Sequence, residues 1–232
     1  MSIWQRIFTK ALNPNDAEAY NNRGFNYYLS GDIDRAIEDY NKAIAINPDS
    51  VEAYNNRGFA YHKKGQYDMA IEDFNKAITL NPNDAEAYYI RGLAYHKKGQ
   101  YDRAIEDYNK AIALSPNKVA AYNNRGGAYY KKGQHDRAIE DFSKAIALRP
   151  NDAIAYYIRG LAYHNNGQYD KAIEDFNKAI ALDPNNAEAY HNRGVIYYSN
   201  GQYDKAISDF QKACDMGIEV ACENLQKALE KK

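Results

Sequence analysis

The sequence predicts an all-α fold built from tandem helical hairpins, and three observations carry that prediction. A 34-residue pattern recurs six times, over 15–48, 49–82, 83–116, 117–150, 151–184 and 185–218. Within each copy, apolar residues return at helical spacing on both sides of a glycine, so each copy reads as two helices joined by a tight turn. Five of the six copies then close on proline, which lacks the N–H that a continuing helix needs.

Taken in order, residues 1–14 form a partial repeat. FTKALNP resembles the end of a second helix, YNKAIAINP, shortened by two residues, and Ile3, Trp4, Ile7, Phe8 and Ala11 make an i, i+3, i+4 stripe. The expectation is an N-terminal capping helix. It serves either to cover the first repeat or as a handle through which copies of the chain associate.

The repeats proper occupy 15–218, and the third serves for all. Asp84 is placed to cap the first helix, as are Asp16, Ser50, Asp152 and Asn186 in their copies, whereas Lys118 has no oxygen to offer. Ala87, Tyr88, Arg91, Gly92 and Tyr95 share one face of that helix, and Gly99 ends it. The second helix opens at Tyr101 with an inward stripe of Ala104, Ile105, Tyr108, Ala111, Ile112 and Leu114. Antiparallel pairing is expected to set the series Gly24, Gly58, Gly92, Gly126, Gly160, Gly194 against Ala36, Ala70, Ala104, Ala138, Ala172, Ala206, small residue against small.

Tyr88-x2-Arg91-Gly92-x2-Tyr95, Ala104-x3-Tyr108 and Pro116 resemble the tetratricopeptide repeat signature at its 34-residue period. The resemblance implies a right-handed α-solenoid whose concave face, lined by first helices, holds an extended peptide or a helix of a partner protein. Two slots depart from the family pattern: Tyr stands where Trp is common, and Arg where Leu is common. Arg23, Arg57, Arg91, Arg125, Arg159 and Arg193 fill the second slot in every copy, and Asp39, Asp73, Asp107, Asp141, Asp175 and Asp209 recur midway along the second helix. Because an inward guanidinium needs a counter-charge, the two series are read as a structural ion-pair ladder.

After the sixth copy Gly217 replaces the closing proline, and residues 219–232 read as a C-terminal capping helix with Ala221, Leu225, Ala228 and Leu229 inward. ACDMGIEVAC is similar to the cystine turn of Sel1-like repeats, relatives of this family. Cys214 and Cys222, the chain's two cysteines, are then either disulfide-bonded or two small buried thiols of a reducing compartment. The localisation expected is cytoplasmic, or periplasmic or extracellular if the pair is bonded.

Carrying the family's groove slots onto this chain nominates Asn21, Phe25, Tyr28, Asn55, Phe59, His62, Lys63, Tyr89, Leu93, His96, Lys97, Asn123, Tyr130, Lys131, Tyr157, Leu161, His164, Asn165, His191, Val195 and Tyr198. These slots vary between copies that are otherwise alike, so recognition is expected there. The paired lysines Lys63-Lys64, Lys97-Lys98 and Lys131-Lys132 either complement helix C-termini or dock an acidic segment. Chaperone-binding members of the family clamp a C-terminal carboxylate with a Lys, Asn, Asn, Lys, Arg set. Here the matching slots hold Asn21, Phe25, Asn56, Glu86 and Ile90, so no such tail is expected to bind.

Other chemistry has little support. With 30 basic and 31 acidic residues the net charge is -1, and no global field draws nucleic acid or an anionic membrane. Phosphate loops, metalloprotease and nucleophile-elbow motifs are missing, and the histidines are spaced too widely to share a metal. The reading is a non-enzymatic interaction scaffold without cofactor or metal. The alternative is a structural protein that stacks into homo-oligomers through its terminal helices.

Overall fold

A computed structural model describes residues 13 and 15–232, in which thirteen α-helices and no strand form. Their pairs are α1 (Ala17–Ser30) with α2 (Ile33–Ile46), α3 (Val51–Lys63) with α4 (Tyr67–Leu80), and α5 (Ala85–Lys97) with α6 (Tyr101–Leu114). They continue as α7 (Val119–Lys131) with α8 (His135–Leu148), α9 (Ala153–Asn165) with α10 (Tyr169–Leu182), and α11 (Ala187–Ser199) with α12 (Tyr203–Asp215). A last helix, α13 (Glu219–Lys231), packs on α12. The pairs gather into two compact units, Met1–Pro116 and Asn117–Lys232. The helix expected over 1–14, with Trp4, falls outside the described residues apart from Asn13.

Local chemistry accounts for where the helices begin and end. Side-chain oxygens of Asp16, Ser50, Asp84, Asp152 and Asn186 accept backbone N–H bonds at the starts of α1, α3, α5, α9 and α11, while α7 starts at Lys118 without a side-chain cap. Between α3 and α4, Gly65 takes φ +74° while the Gln66 N–H donates to the Tyr61 carbonyl at 2.9 Å. This left-handed closure leaves little strain only in glycine. The second helices α2, α4, α6, α8 and α10 stop two residues before a proline, and the residue between is extended, with φ -135° at Asn81. That is the geometry forced on a residue preceding proline.

Packing corrects two expectations. What lies nearest the glycines is a ring rather than an alanine side chain: a Cβ on Gly92 would lie 2.7 Å from the Tyr108 ring, and Gly58, Gly126, Gly160 and Gly194 meet the rings of Phe74, Phe142, Phe176 and Phe210. A flat, wide ring lying against a helix needs the room that a missing Cβ leaves. Gly24 meets both the Tyr40 ring and the Ala36 carbonyl. The ring series Tyr40, Phe74, Tyr108, Phe142, Phe176, Phe210 and the alanine series are both fully buried and form the core of each hairpin. Leu114 and Leu229, expected inward, are exposed. Each lies C-terminal to the last buried position of its stripe, Ala111 or Ala228.

Candidate functional site

The first helices carry two sets of side chains, and the inner set positions the outer. On the inner side each arginine grips an aspartate of its partner helix with two parallel bonds: Arg91 Nε to Asp107 Oδ2 at 2.8 Å and Nη2 to Oδ1 at 2.6 Å. The same fork joins Arg23 to Asp39, Arg57 to Asp73, Arg125 to Asp141, Arg159 to Asp175 and Arg193 to Asp209. Tyrosines one turn away flank the guanidiniums, as Tyr88 and Tyr95 do at 5.5 and 6.0 Å from Arg91. Burial pushes the Asp73, Asp107 and Asp141 carboxyls up, against the arginine bonds that hold them down. Hydrogen bonding to Asp141 and Asp175 raises Arg125 and Arg159, so the guanidiniums stay charged.

Sequence reasoning missed the third arm of this fork. Arg57 Nη1 donates to Asn41 Oδ1 and Arg91 Nη1 to Asn75 Oδ1, both at 2.6 Å, while Arg159 reaches Ser143 Oγ at 2.9 Å and Arg193 reaches Asn177 Oδ1 at 2.5 Å. Each acceptor lies on the second helix of the preceding repeat, so the planar fork fixes helix on helix and repeat on repeat together. The signal was an Asn two residues after the aspartate, at Asn41, Asn75, Asn109 and Asn177.

On the outer side the nominated residues prove to be rooted in the fold. In the first unit Asn21 is only 3% exposed. Its amide donates to Glu52 Oε1 at 2.9 Å and accepts from Asn56 Nδ2 at 3.0 Å, which removes it from the solvent-facing set. Asn55 Nδ2 bonds Asp84 Oδ2 at 2.7 Å. Phe59 stands edge-on to Phe74, Tyr89 leans on Tyr108, and Lys63 Nζ sits 4.7 Å from the centre of the Tyr28 ring. Phe25, Lys63 and Lys97 are exposed, and Tyr28 and Leu93 half-buried. In the second unit Asn123, Tyr130, Leu161 and Val195 are half-buried and Lys131 and Asn165 exposed. Tyr157 and His191 lean on Phe176 and Phe210, Tyr198 packs between Tyr203 and Phe210, and Asn165 donates to Tyr130 Oη at 2.6 Å.

The histidines are packing pieces. His62 and His96 meet Tyr67 and Tyr101 edge-on across the glycine turn, His164 meets Tyr169 at a tilt, and the fourth repeat exchanges the two rings, Tyr130 meeting His135. Burial holds His62 and His191 below the ordinary imidazole range, with Lys97 adding to the effect at His62. Among the described residues no group of three His, Cys, Asp or Glu side chains is placed to hold a metal ion. The lysine pairs divide in function. Lys64 bonds Asp34 at 2.5 Å and Lys98 bonds Asp68, each across one repeat boundary, while Lys63 and Lys97 stay at the solvent side. Cys214 and Cys222 are joined as a disulfide that ties α12 to α13.

Family and structure comparisons agree with this geometry. The family model described as TPR repeat matches residues 26–65, 60–99, 92–133, 126–167 and 160–201, and the one described as Tetratricopeptide repeat matches 187–216. No curated protein matches the chain. Among solved structures, MamA is 35% identical over 74% of this chain and 94% of its own, with a TM-score of 0.70. YrrB, described as a TPR protein with an unusual peptide-binding site, is 26% identical over 83% of this chain and 98% of its own, with a TM-score of 0.71. A tetratricopeptide repeat protein from Parabacteroides merdae ATCC 43184 is 27% identical over 94% of this chain and 86% of its own, with a TM-score of 0.64.

Proposed function

The chain belongs to the tetratricopeptide repeat family, and from that premise we propose that it is a non-enzymatic scaffold holding a peptide or helix of a partner protein on its first-helix face. One observation carries the reading. Arg, Gly, Asp and the core ring repeat in every copy, while the slots at Asn55 and Tyr89 in the first unit and at Asn123, Tyr157 and His191 in the second differ, each half-buried on the outer side of its first helix. Rings anchored on the core, Tyr89 on Tyr108 and Tyr157 on Phe176, supply rigid contact area at low entropic cost. The description of YrrB supports the same use of this fold.

The test is affinity capture from the source cells with the wild-type chain and with Asn55→Ala, Tyr89→Ala, Asn123→Ala and Tyr157→Ala combined. A partner held by the first and lost by the second, with helical circular dichroism unchanged, supports the reading; equal retention overturns it. A second reading, stacking of copies through their ends, is favoured by Phe25 and Leu29 on α1 and Val220 and Leu229 on α13, which are 45–66% exposed. Light scattering that gives the monomer mass at all concentrations would remove it. The Cys214–Cys222 bond favours an oxidising compartment over the cytoplasm.

A further inference from the structure

We propose that a cavity between α11, α12 and α13 receives an aliphatic side chain from an acidic partner segment, with Asn224 and Lys227 binding the carboxylate beside it. The inference rests on the peptide-binding reading above and names the ligand chemistry of one end of that face. Val195 and Tyr198 of α11, Phe210 of α12, and Asn224 and Lys227 of α13 line a space of about 110 Å³. It is apolar at its floor and polar at its α13 side.

The cavity follows from how α13 replaces a first helix. Ala221 and Ala228 are buried, as are Ala189 and Ile196, so α13 stands in the register of α11 with 32 residues between equivalent positions instead of 34. Asn224 then occupies the slot of Asn192, and Lys227 the slot of Val195, which holds Phe59, Leu93 and Leu161 in earlier copies. A lysine, whose ammonium seeks water, fills less of that space than a ring or a leucine. Val195 is also smaller than Phe59, Leu93 and Leu161, which widens the opening.

The lining selects its occupant by size and charge. A dry cavity of roughly 150 Å³ takes a benzene ring, so a smaller one suits a leucine or valine side chain. Asn192 donates to Tyr157 Oη at 3.3 Å and to the Glu188 carbonyl at 2.7 Å; among the described residues Asn224 makes no comparable bond. Lys227 makes no ion pair among them either, although Glu223 and Glu230 lie within one turn of it. A free amide and a free ammonium at the mouth of an apolar cavity together fit a carboxylate flanking an aliphatic residue. The chain's own segment MSIWQRIFTKAL is a poor occupant, since it carries Arg6 and Lys10 and no acid.

The probe is a fluorescein-labelled, C-terminally amidated peptide, Gly-Ser-Glu-Leu-Glu-Ser-Gly, titrated with the full-length chain by fluorescence polarisation. Val195→Trp, which fills the cavity, is expected to weaken binding at least about tenfold, as loss of a central anchor does. Lys227→Glu, at an exposed position, should weaken it and restore binding to the peptide with both Glu replaced by Lys. Four results overturn the proposal: no saturable binding, binding indifferent to both variants, binding only by the peptide with a free C-terminal carboxylate, or displacement by a 1–12 peptide at lower concentration. If Val195→Trp and Lys227→Glu leave a captured partner bound while the Asn55, Tyr89, Asn123, Tyr157 variant loses it, the cavity assignment falls and the broader face reading stands. Loss in none of them removes both.

Discussion

Two faces of one helix, α9, serve opposite ends. Arg159 and Gly160 turn toward α10, where the guanidinium grips Asp175 at 2.7 Å and the glycine admits the Phe176 ring. Tyr157, two residues earlier, leans on the edge of that same ring at 6.0 Å and looks outward. The inner pair is unchanged in all six copies, whereas the outer slot is Asn, Tyr or His. The difference shows how a repeat can vary its recognition chemistry without disturbing its fold: the variable residue touches the constant ring from outside and is not needed to close the hairpin.

Three substitutions test the contrast between the faces. The largest effect belongs to Arg159→Ala, which leaves Asp175, with a side chain 6% exposed, without its counter-charge. Urea unfolding should show a loss of about 3–5 kcal/mol, recovered largely when both partners become leucine; a similar loss for Tyr157→Ala would erase the distinction between the faces. Gly160→Ala comes next. Its Cβ would sit 2.7 Å from the Phe176 ring, and overpacking of this kind costs about 1–3 kcal/mol, so a neutral result would mean the ring shifts freely. The smallest effect has the opposite sign. Tyr40 and Tyr108 stand where other copies have Phe, their hydroxyls are buried without a hydrogen-bond partner, and burial pushes both phenols far up. Tyr108→Phe should therefore stabilise by about 1 kcal/mol, the desolvation cost removed, seen as a higher urea midpoint. Destabilisation instead would mean the hydroxyl has a role on the face.

Much of the fold was legible because its signals are local. A capping oxygen, a glycine at positive φ and a proline act on neighbours within a few residues, and six repetitions expose them by comparison. The candidate site was legible only as slots. Nothing in the letters places Asn21 beneath Asn56 and Glu52, or sets His62 edge-on to Tyr67, because those outcomes depend on how far one helix is rotated against the next. The small-against-small idea was incomplete for the same reason: only the crossing geometry decides that the ring lies over the glycine.

By itself, then, the sequence determined the period, the helix limits and the demand that every inward arginine meet a carboxylate, all consequences of chemistry contained in one copy. Tertiary structure alone decided the contacts between copies. The third arginine bond to Asn75, the Lys64 bridge to Asp34 and the Asn192 bond to Tyr157 join residues 16 to 35 apart in the chain, and the cavity under α13 draws its lining from Val195 to Lys227. Such residues meet only once whole helices have stacked, since it is the packing of side chains between repeats that sets the register.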